Sequence, residues 1–100
     1  MNRRNKRSNP KSDLYRAIMQ LKDVEECYKF FLDLCTVSEL KDMEQRFEVA
    51  KLLDEGLIYN DILEKTGASS ATISRVNRSL NYGTDTYHVL FERMKQENKQ

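Results

Sequence analysis

The sequence predicts an all-α protein, and three observations support this fold class. The chain has 100 residues with one proline and three glycines, so few positions interrupt a helix. Apolar residues recur at helical spacing through most of the chain. Two short helical patterns meet at Gly67, within a segment that reads YNDILEKTGASSATISRVNRSL over residues 59–80. We therefore expect one helical domain at residues 12–100, preceded by a flexible basic arm at residues 1–11.

Six helices are predicted from the periodicity and from the residues that start and stop them. Ser12 and Asp23 are expected to cap the first two helices, and Thr36 with Glu39 forms a capping box for the third, which stops at Gly56. The expected helices cover residues 13–20, 24–35, 37–54, 60–66, 70–81 and, after residue 84 or 85, a last helix through residue 94.

Most of these helices carry an apolar face. The face of the second helix consists of Val24, Cys27, Tyr28, Phe31, Leu34 and Cys35. The face of the third consists of Leu40, Met43, Phe47, Ala50 and Leu53, and that of the last consists of Tyr87, Leu90, Phe91 and Met94. The apolar faces of the first, second and last helices exceed what one small bundle readily hides, which predicts a homodimer. The alternative is a monomeric up-down bundle.

A helix-turn-helix pattern occupies about residues 59–81. Its turn is expected over residues 67–69, because a short turn between steeply crossed helices needs a residue that tolerates positive φ, as glycine does. Ser69 can cap the second helix of the motif through its hydroxyl. The side chains expected to pack between the two helices and on the domain are Ile62, Leu63, Ala68, Ile73 and Val76.

The opposite face of that second helix has the composition of a DNA-reading surface. Short side chains there permit close approach to a groove, and guanidinium groups can bind phosphate or guanine. No acidic residue occurs between Lys65 and Leu80. The residues expected to contact DNA are Asn60, Lys65, Ser69, Ser70, Ala71, Thr72, Ser74, Arg75 and Arg78. The alternative is an ordinary αα-hairpin with a glycine at its corner.

The formal net charge of +1 hides a segregation of charge along the chain. Residues 12–64 hold six basic and thirteen acidic side chains, a balance of −7, whereas residues 65–83 return to +3. The arm has basic side chains and no acid, which favours phosphate contacts by Arg3, Arg4, Lys6 and Arg7. A disordered solubilising tail is the alternative for the arm.

Other classes of function find no support in the sequence. No paired carboxylates in a defined site, no nucleophile with a base and no phosphate loop occur, so we do not expect an enzyme. Cys27 and Cys35 lack CxxC or Cys/His spacing, which favours reduced core residues over a disulfide or metal site. His88, the only histidine, is expected to be a cap or surface residue. We expect no metal, no cofactor, no membrane span and a cytoplasmic location.

Nearly the whole chain resembles the Trp repressor superfamily, and within it the YerC/YecD-type Trp-repressor-related proteins of Gram-positive bacteria. The most specific stretches are CTVSELKDMEQRFEVAKLL at residues 35–53 and TGASSATISRVNRSLNYG at residues 66–83, which are similar to the family's third helix and its recognition helix with the following turn. The resemblance implies a six-helix Trp-repressor-like fold, an intertwined homodimer with both recognition helices on one side, and binding to an operator.

The resemblance also indicates where an effector would bind. Thr36, Arg46 and Arg75 match the family's tryptophan-binding threonine and two arginines, and Ser79 is a further candidate. The family's indole slot needs a glycine directly after the last arginine, and this chain has Val76 there. A β-branched side chain fills the volume of a ring, which disfavours tryptophan. The alternative roles are a helix cap for the threonine and pairing with acids or phosphates for the arginines.

Two function hypotheses follow. The first is a sequence-specific transcriptional regulator, a repressor, that binds a palindromic operator in double-stranded DNA as a homodimer without tryptophan as corepressor. The second is a helical interaction module that docks on the transcription machinery, with its acidic middle turned to a basic partner.

Overall fold

The computed structural model describes residues 9–98, and these form six α-helices and no strand. In chain order the helices are α1 (Asp13–Ile18), α2 (Val24–Leu34), α3 (Val37–Asp54), α4 (Tyr59–Thr66), α5 (Ser70–Tyr82) and α6 (Thr86–Asn98). The predicted all-α class is confirmed. The chain divides between Val37 and Ser38 into two compact units. A single domain at residues 12–100 stays a prediction.

The first unit contains α1 and α2, and both helices begin at the predicted caps. The Ser12 hydroxyl accepts a hydrogen bond from the Leu14 amide at 3.2 Å. The Asp23 carboxylate accepts one from the Glu26 amide at 2.8 Å. Each cap satisfies an amide of the first turn that has no partner inside its helix, so these two helix starts follow from local chemistry.

The apolar face of α2 is left largely uncovered in a single chain. No residue of α1 or α2 is fully buried. Val24 is 85% exposed and Tyr28 is 52% exposed. Cys27 and Cys35 are free and only half-buried, so the expectation that they are core residues is not met within one chain.

The second unit holds the hydrophobic core. The buried side chains are Val49, Ala50, Leu52, Ile62, Ala68, Ile73, Val76, Leu80 and Phe91. The rings of Phe47 and Phe91 pack with their centroids 5.3 Å apart, and Tyr87 stacks on Phe91 at 5.9 Å. Residues from α3, α5 and α6 therefore share one cluster, on which α4 rests through Ile62.

Two expectations about this core were wrong. Leu63 is 40% exposed, because α4 directs its neighbour Ile62 into the core and position 63 lies about 100° further around the helix. The predicted face of α3 missed Val49 and Leu52, which are buried. A helix that packs on more than one side buries more than one stripe, so its sequence does not show a single clean periodicity.

Several helix ends differ from the predicted ones by one or two residues. α1 ends at Ile18, where hydrogen bonds between residues three apart tighten the chain into a turn. α4 begins one residue early at Tyr59, and α5 continues through Tyr82. α6 begins at Thr86, directly after Asp85 as predicted, and continues beyond residue 94 to Asn98. Asp85 has φ 74°, and its carbonyl accepts a hydrogen bond from the Val89 amide.

Within the described residues, no helix is both long enough and apolar enough to cross a membrane.

Candidate nucleic-acid interface

The corner between α4 and α5 has the predicted form. Gly67 follows α4 with φ 73°, in the left-handed region, and its amide donates to the Leu63 carbonyl at 2.9 Å. A glycine adopts this conformation without steric cost, whereas an L side chain there is strained. Ala68 is buried beneath the turn, and α5 begins at Ser70. The expected turn over residues 67–69 is therefore confirmed.

Two polar side chains that the sequence did not single out support this corner. The Thr66 hydroxyl donates to the Ile62 carbonyl at 2.8 Å and accepts from the Ala68 amide at 3.1 Å. The side-chain amide of Gln45 on α3 donates to the Thr66 carbonyl at 3.1 Å. These contacts join the end of α4 to the turn and to α3. The Gln45 contact spans 21 residues in sequence, so a pattern of nearby residues carries no signal for it.

Ser69 caps α5, as predicted. Its hydroxyl oxygen accepts a hydrogen bond from the Thr72 amide at 3.1 Å and donates to the Thr72 hydroxyl, also at 3.1 Å. Thr72 is half-buried. Both hydroxyls are engaged in holding the first turn of α5, and the expected contacts of Ser69 and Thr72 with DNA stay predictions.

The helix α5 separates into a buried face and an exposed face. Ile73, Val76 and Leu80 are buried. The exposed residues that the sequence predicts for DNA contact are Ser70, Ala71, Ser74, Arg75 and Arg78. At about 100° per residue these five positions fall within an arc of roughly 140° on the side opposite the core. The structure thus brings the short and basic side chains together on one accessible surface.

Arg75 and Arg78 carry the positive charge of this surface. Neither forms an ion pair among residues 9–98, and α5 contains no acidic residue. The alternative role of Arg75, pairing with an acidic side chain, is therefore not observed within the described part of the chain. Lys65 in the last turn of α4 and Asn60 in its first turn are also exposed. A guanidinium offers five N–H donors, so this surface is suited to an anionic partner.

The remaining predicted site residues lie elsewhere. Arg46 is exposed on α3 and Ser79 is exposed on α5, whereas Thr36 belongs to the first unit. Val76 is 3% exposed, so the space beside its backbone is filled by its own side chain and the core around it. The arm residues Arg3, Arg4, Lys6 and Arg7 lie outside the described residues.

Comparison with known proteins identifies the family to which this helix-turn-helix belongs. Residues 11–95 match the family of the Trp repressor protein. The uncharacterized protein YerC of Bacillus subtilis is 54% identical over 83 residues, which cover 83% of this chain and 80% of YerC. The chain belongs to the Trp repressor family, a family of regulators with a DNA-binding fold and not of enzymes.

Two solved structures share the fold. A TrpR-like protein from Eubacterium eligens superposes with a TM-score of 0.81 at 60% identity, covering 83% of this chain and 86% of that chain. A proposed Trp repressor from Staphylococcus aureus superposes with a TM-score of 0.84 at 45% identity, covering 95% of each chain. The Trp-repressor-like fold and the resemblance to Gram-positive relatives are confirmed. The intertwining of two chains stays a prediction.

The glycine at the corner supplies a direct test of the motif. A Cβ at Gly67 would meet no atom within 4 Å, so the cost of Gly67→Ala comes only from its φ of 73°. We expect a loss of roughly 1–2 kcal/mol in the free energy of unfolding, measured by denaturant titration. We also expect weaker DNA binding, because relieving the strain changes the angle between α4 and α5.

Gly56→Ala is the matched control. Gly56 has φ 93° and also has open space around it, but it lies outside the helix-turn-helix. Its substitution should cost similar stability and leave DNA affinity unchanged. Equal loss of DNA affinity in the two variants would show that the angle at Gly67 has no special importance for binding.

Proposed function

We propose that the protein is a sequence-specific DNA-binding regulator of transcription that acts as a repressor at its operator. The observation that carries this proposal is the exposed face of α5, where short side chains alternate with the guanidiniums of Arg75 and Arg78, which form no ion pair among residues 9–98. In a helix-turn-helix protein the second helix enters the major groove, and its first residues contact base edges. Ser70, Ala71 and Ser74 occupy that part of α5.

The other predicted contacts serve the DNA backbone in this proposal. In this proposal α5 is the recognition helix. Lys65 and Asn60 lie on the preceding helix α4 and are exposed. Contacts of this kind position a protein on the duplex and carry little sequence information. The basic arm at residues 1–11 adds further positive charge without an acid. It contributes affinity for all sequences alike, in proportion to the phosphates it neutralises.

The functional form in this proposal is an intertwined homodimer that reads a palindromic operator. Its support is the apolar surface that one chain leaves open on α2 and α6, where Val24, Tyr28, Leu34, Val89 and Met94 are all at least 39% exposed. Burial of such surface drives association of subunits. Two recognition helices related by a twofold axis would meet half-sites roughly one helical turn of DNA apart.

Tryptophan is not the corepressor in this proposal. Thr36, Arg46 and Arg75 keep the residue types of the family's polar clamp, and Ser79 remains exposed nearby in sequence on α5. The buried position of Val76 supports the view that no slot for an indole ring is open at this point of α5. The candidate effector site formed by these residues therefore has no assigned ligand.

Selection of bound DNA fragments from a whole genome by the purified protein tests the proposal. Enrichment of fragments that share one palindromic sequence, with affinity that falls steeply as salt rises, is the expected result. A chain truncated to residues 12–100 should show a shallower salt dependence if the arm contacts phosphates. Absence of DNA binding at low salt would favour the alternative, a helical module that docks on the transcription machinery.

The dimer has its own test in light scattering. We expect a mass of twice the 11.8 kDa of the chain at micromolar concentration. Leu34→Glu, at a half-exposed apolar position at the end of α2, should weaken the association because it places a charge in the interface. Lys29→Glu on the same helix is the charge-changing control. A folded monomer for the unmodified chain would contradict the intertwined dimer.

A further inference from the structure

The outermost stripe of the recognition helix ends in an exposed aromatic side chain. Ala71, Arg75, Arg78 and Tyr82 follow one another at spacings of four, three and four residues, so they lie on the same side of α5. Tyr82 is 87% exposed, the highest value among the exposed large hydrophobic side chains of the described residues. Its position opposite the buried face of α5 means that the core does not account for it. Tyr82 belongs to the same surface as the two guanidiniums.

The last turn of α5 is held against its neighbours, which gives Tyr82 a defined place. Leu80 is 6% exposed and belongs to the core cluster. Its carbonyl oxygen lies 3.2 Å from Nε2 of His88 on α6, and Nδ1 of the same ring lies 3.2 Å from a carboxylate oxygen of Asp54 on α3. The end of the recognition helix is thereby joined to two other helices, all within the second unit.

The chain leaves the helix directly after Tyr82. The Gly83 amide donates to the Ser79 carbonyl at 3.0 Å, and a Cβ at Gly83 would clash with that same carbonyl. Only glycine permits so close an approach of the backbone to itself. Tyr82 is therefore the last side chain on the outward stripe of α5, with no further helical turn beyond it.

The polar groups of this last turn differ in what they offer a partner. Nδ2 of Asn81 donates to the backbone carbonyl and to Oδ1 of Asn77, both at 3.0 Å, so the donors of this amide are engaged with its own helix. The atom that remains, Oδ1 of Asn81, is an acceptor. The hydroxyl of Tyr82 is a donor, and the exposure of its side chain leaves it accessible. An acceptor such as a phosphate oxygen therefore finds its partner in Tyr82.

The charge of the outward stripe favours an anionic partner over an apolar one. No acidic residue occurs between Lys65 and Thr84. Arg75 and Arg78 form no ion pair among residues 9–98. Tyr82 lies about one turn beyond Arg78, so a partner that covers one of them meets the other. An apolar protein surface would remove the guanidiniums from water without pairing them, which is costly, whereas a polyanion pairs them.

The length of α5 indicates which part of a duplex its last turn would meet. The major groove is about 12 Å wide. Tyr82 is eleven residues beyond Ala71, which is roughly 17 Å along the helix axis. When the first turn of α5 contacts base edges, the last turn therefore lies beyond the groove, at the sugar-phosphate backbone that borders it.

We infer that Tyr82 is a DNA-contact residue whose hydroxyl donates a hydrogen bond to a backbone phosphate at the border of the groove that α5 reads. The inference rests on the proposed function and names a further contact of the same surface. Tyrosine is among the side chains that bind phosphate oxygens, and such contacts fix the register of a protein on the duplex. Because the hydroxyl is neutral, it adds affinity without neutralising a phosphate, so it leaves the salt dependence of binding unchanged.

Tyr82→Phe tests the contact, because it removes the hydroxyl and keeps the ring. The probes are the tightest-binding duplex from the genomic selection and its single-base variants, each titrated over a range of salt concentrations. Tyr82→Phe should weaken binding to all of them by the same factor, about three- to tenfold for each chain on the duplex, with an unchanged salt slope. Tyr15→Phe is the matched control, since it removes a hydroxyl from a 42% exposed tyrosine on α1. It should bind like the unmodified chain.

Duplexes with a single methylphosphonate locate the phosphate that accepts the hydrogen bond. This replacement makes one phosphate neutral at a time, and a neutral acceptor binds a donor more weakly than a charged one. At one position bordering the groove in each half-site, the unmodified chain should lose affinity and Tyr82→Phe should not. The two changes remove the same interaction, so their effects should not add.

The other outcomes overturn the phosphate contact, and they differ from a failure of the proposed function. Equal affinity of Tyr82→Phe and the unmodified chain, or equal sensitivity of both to every methylphosphonate, would show that the hydroxyl binds no phosphate. A loss that depends on one base position would show that Tyr82 reads a base instead. A halved mass of Tyr82→Phe in light scattering would place Tyr82 between two chains. If the unmodified chain itself binds no duplex, the proposed function fails and the contact with it.

Discussion

Replacing Val76 by glycine is expected to lower the free energy of unfolding by about 2–4 kcal/mol. Val76 is 3% exposed and belongs to the same core cluster as Ile73 and Leu80. The substitution removes a buried side chain, leaves a cavity in the core and adds the conformational cost of glycine inside a helix. Denaturant titration measures the loss. Val76→Ala, which keeps the helix propensity, should lose about 1 kcal/mol less.

The same position is expected to decide the response to tryptophan. The resemblance to the Trp repressor family implies that an indole ring needs a residue without a side chain at position 76. In this chain the buried side chain of Val76 occupies that position. Millimolar tryptophan should therefore leave the melting temperature of the unmodified chain unchanged. The measurement is sensitive, because a ligand that binds only the folded state would add about 2.7 kcal/mol at ~100 times its dissociation constant.

Variants at this position distinguish two explanations. Either the Val76 side chain blocks the space for the indole ring, or the polar residues no longer bind tryptophan. If the Val76 side chain alone excludes the ring, Val76→Gly should gain a rise in melting temperature with tryptophan, and adding Arg75→Ala should abolish that rise. A flat response of Val76→Gly would show that the polar residues no longer form a clamp. A rise of several degrees in the unmodified chain would contradict the steric argument itself.

Features that depend on neighbouring residues could be predicted from the sequence. The caps at Ser12, Asp23 and Ser69 each use a side chain and an amide two or three residues away. The turn at Gly67 depends on one backbone conformation that glycine adopts freely. The exposed face of α5 follows from a helix of 13 residues, long enough for its periodicity to separate core from surface.

Features that depend on tertiary packing could not be predicted from the sequence. α4 has eight residues, little more than two turns, so the sequence did not show that Ile62 faces the core while Leu63 is exposed. The contacts of Gln45 with Thr66 and of His88 with Asp54 span 21 and 34 residues. No local pattern marks such pairs. They became visible only once the helices were placed next to one another.

Arg78→Ala is expected to weaken binding to the selected operator by about 1–3 kcal/mol and to relax the preference at one base position. Arg78 is exposed on the outer face of α5 and has no ion pair among residues 9–98. Its guanidinium can therefore reach a guanine edge, which presents two acceptors that a planar fork of donors matches. Because the side chain is exposed, the melting temperature should change little.

Two comparisons distinguish base reading from simple charge. Arg93→Ala removes the same charge from the exposed surface of α6 and should leave operator affinity nearly unchanged. Arg78→Lys keeps the charge but loses the bidentate geometry, so it should retain binding to arbitrary DNA and lose discrimination at the affected position. If Arg78→Ala instead weakens all sequences equally and lowers the salt slope by about one, Arg78 contacts a phosphate. Unchanged affinity and unchanged sequence preference would place the reading contacts elsewhere on α5, at Arg75 and the short side chains before it.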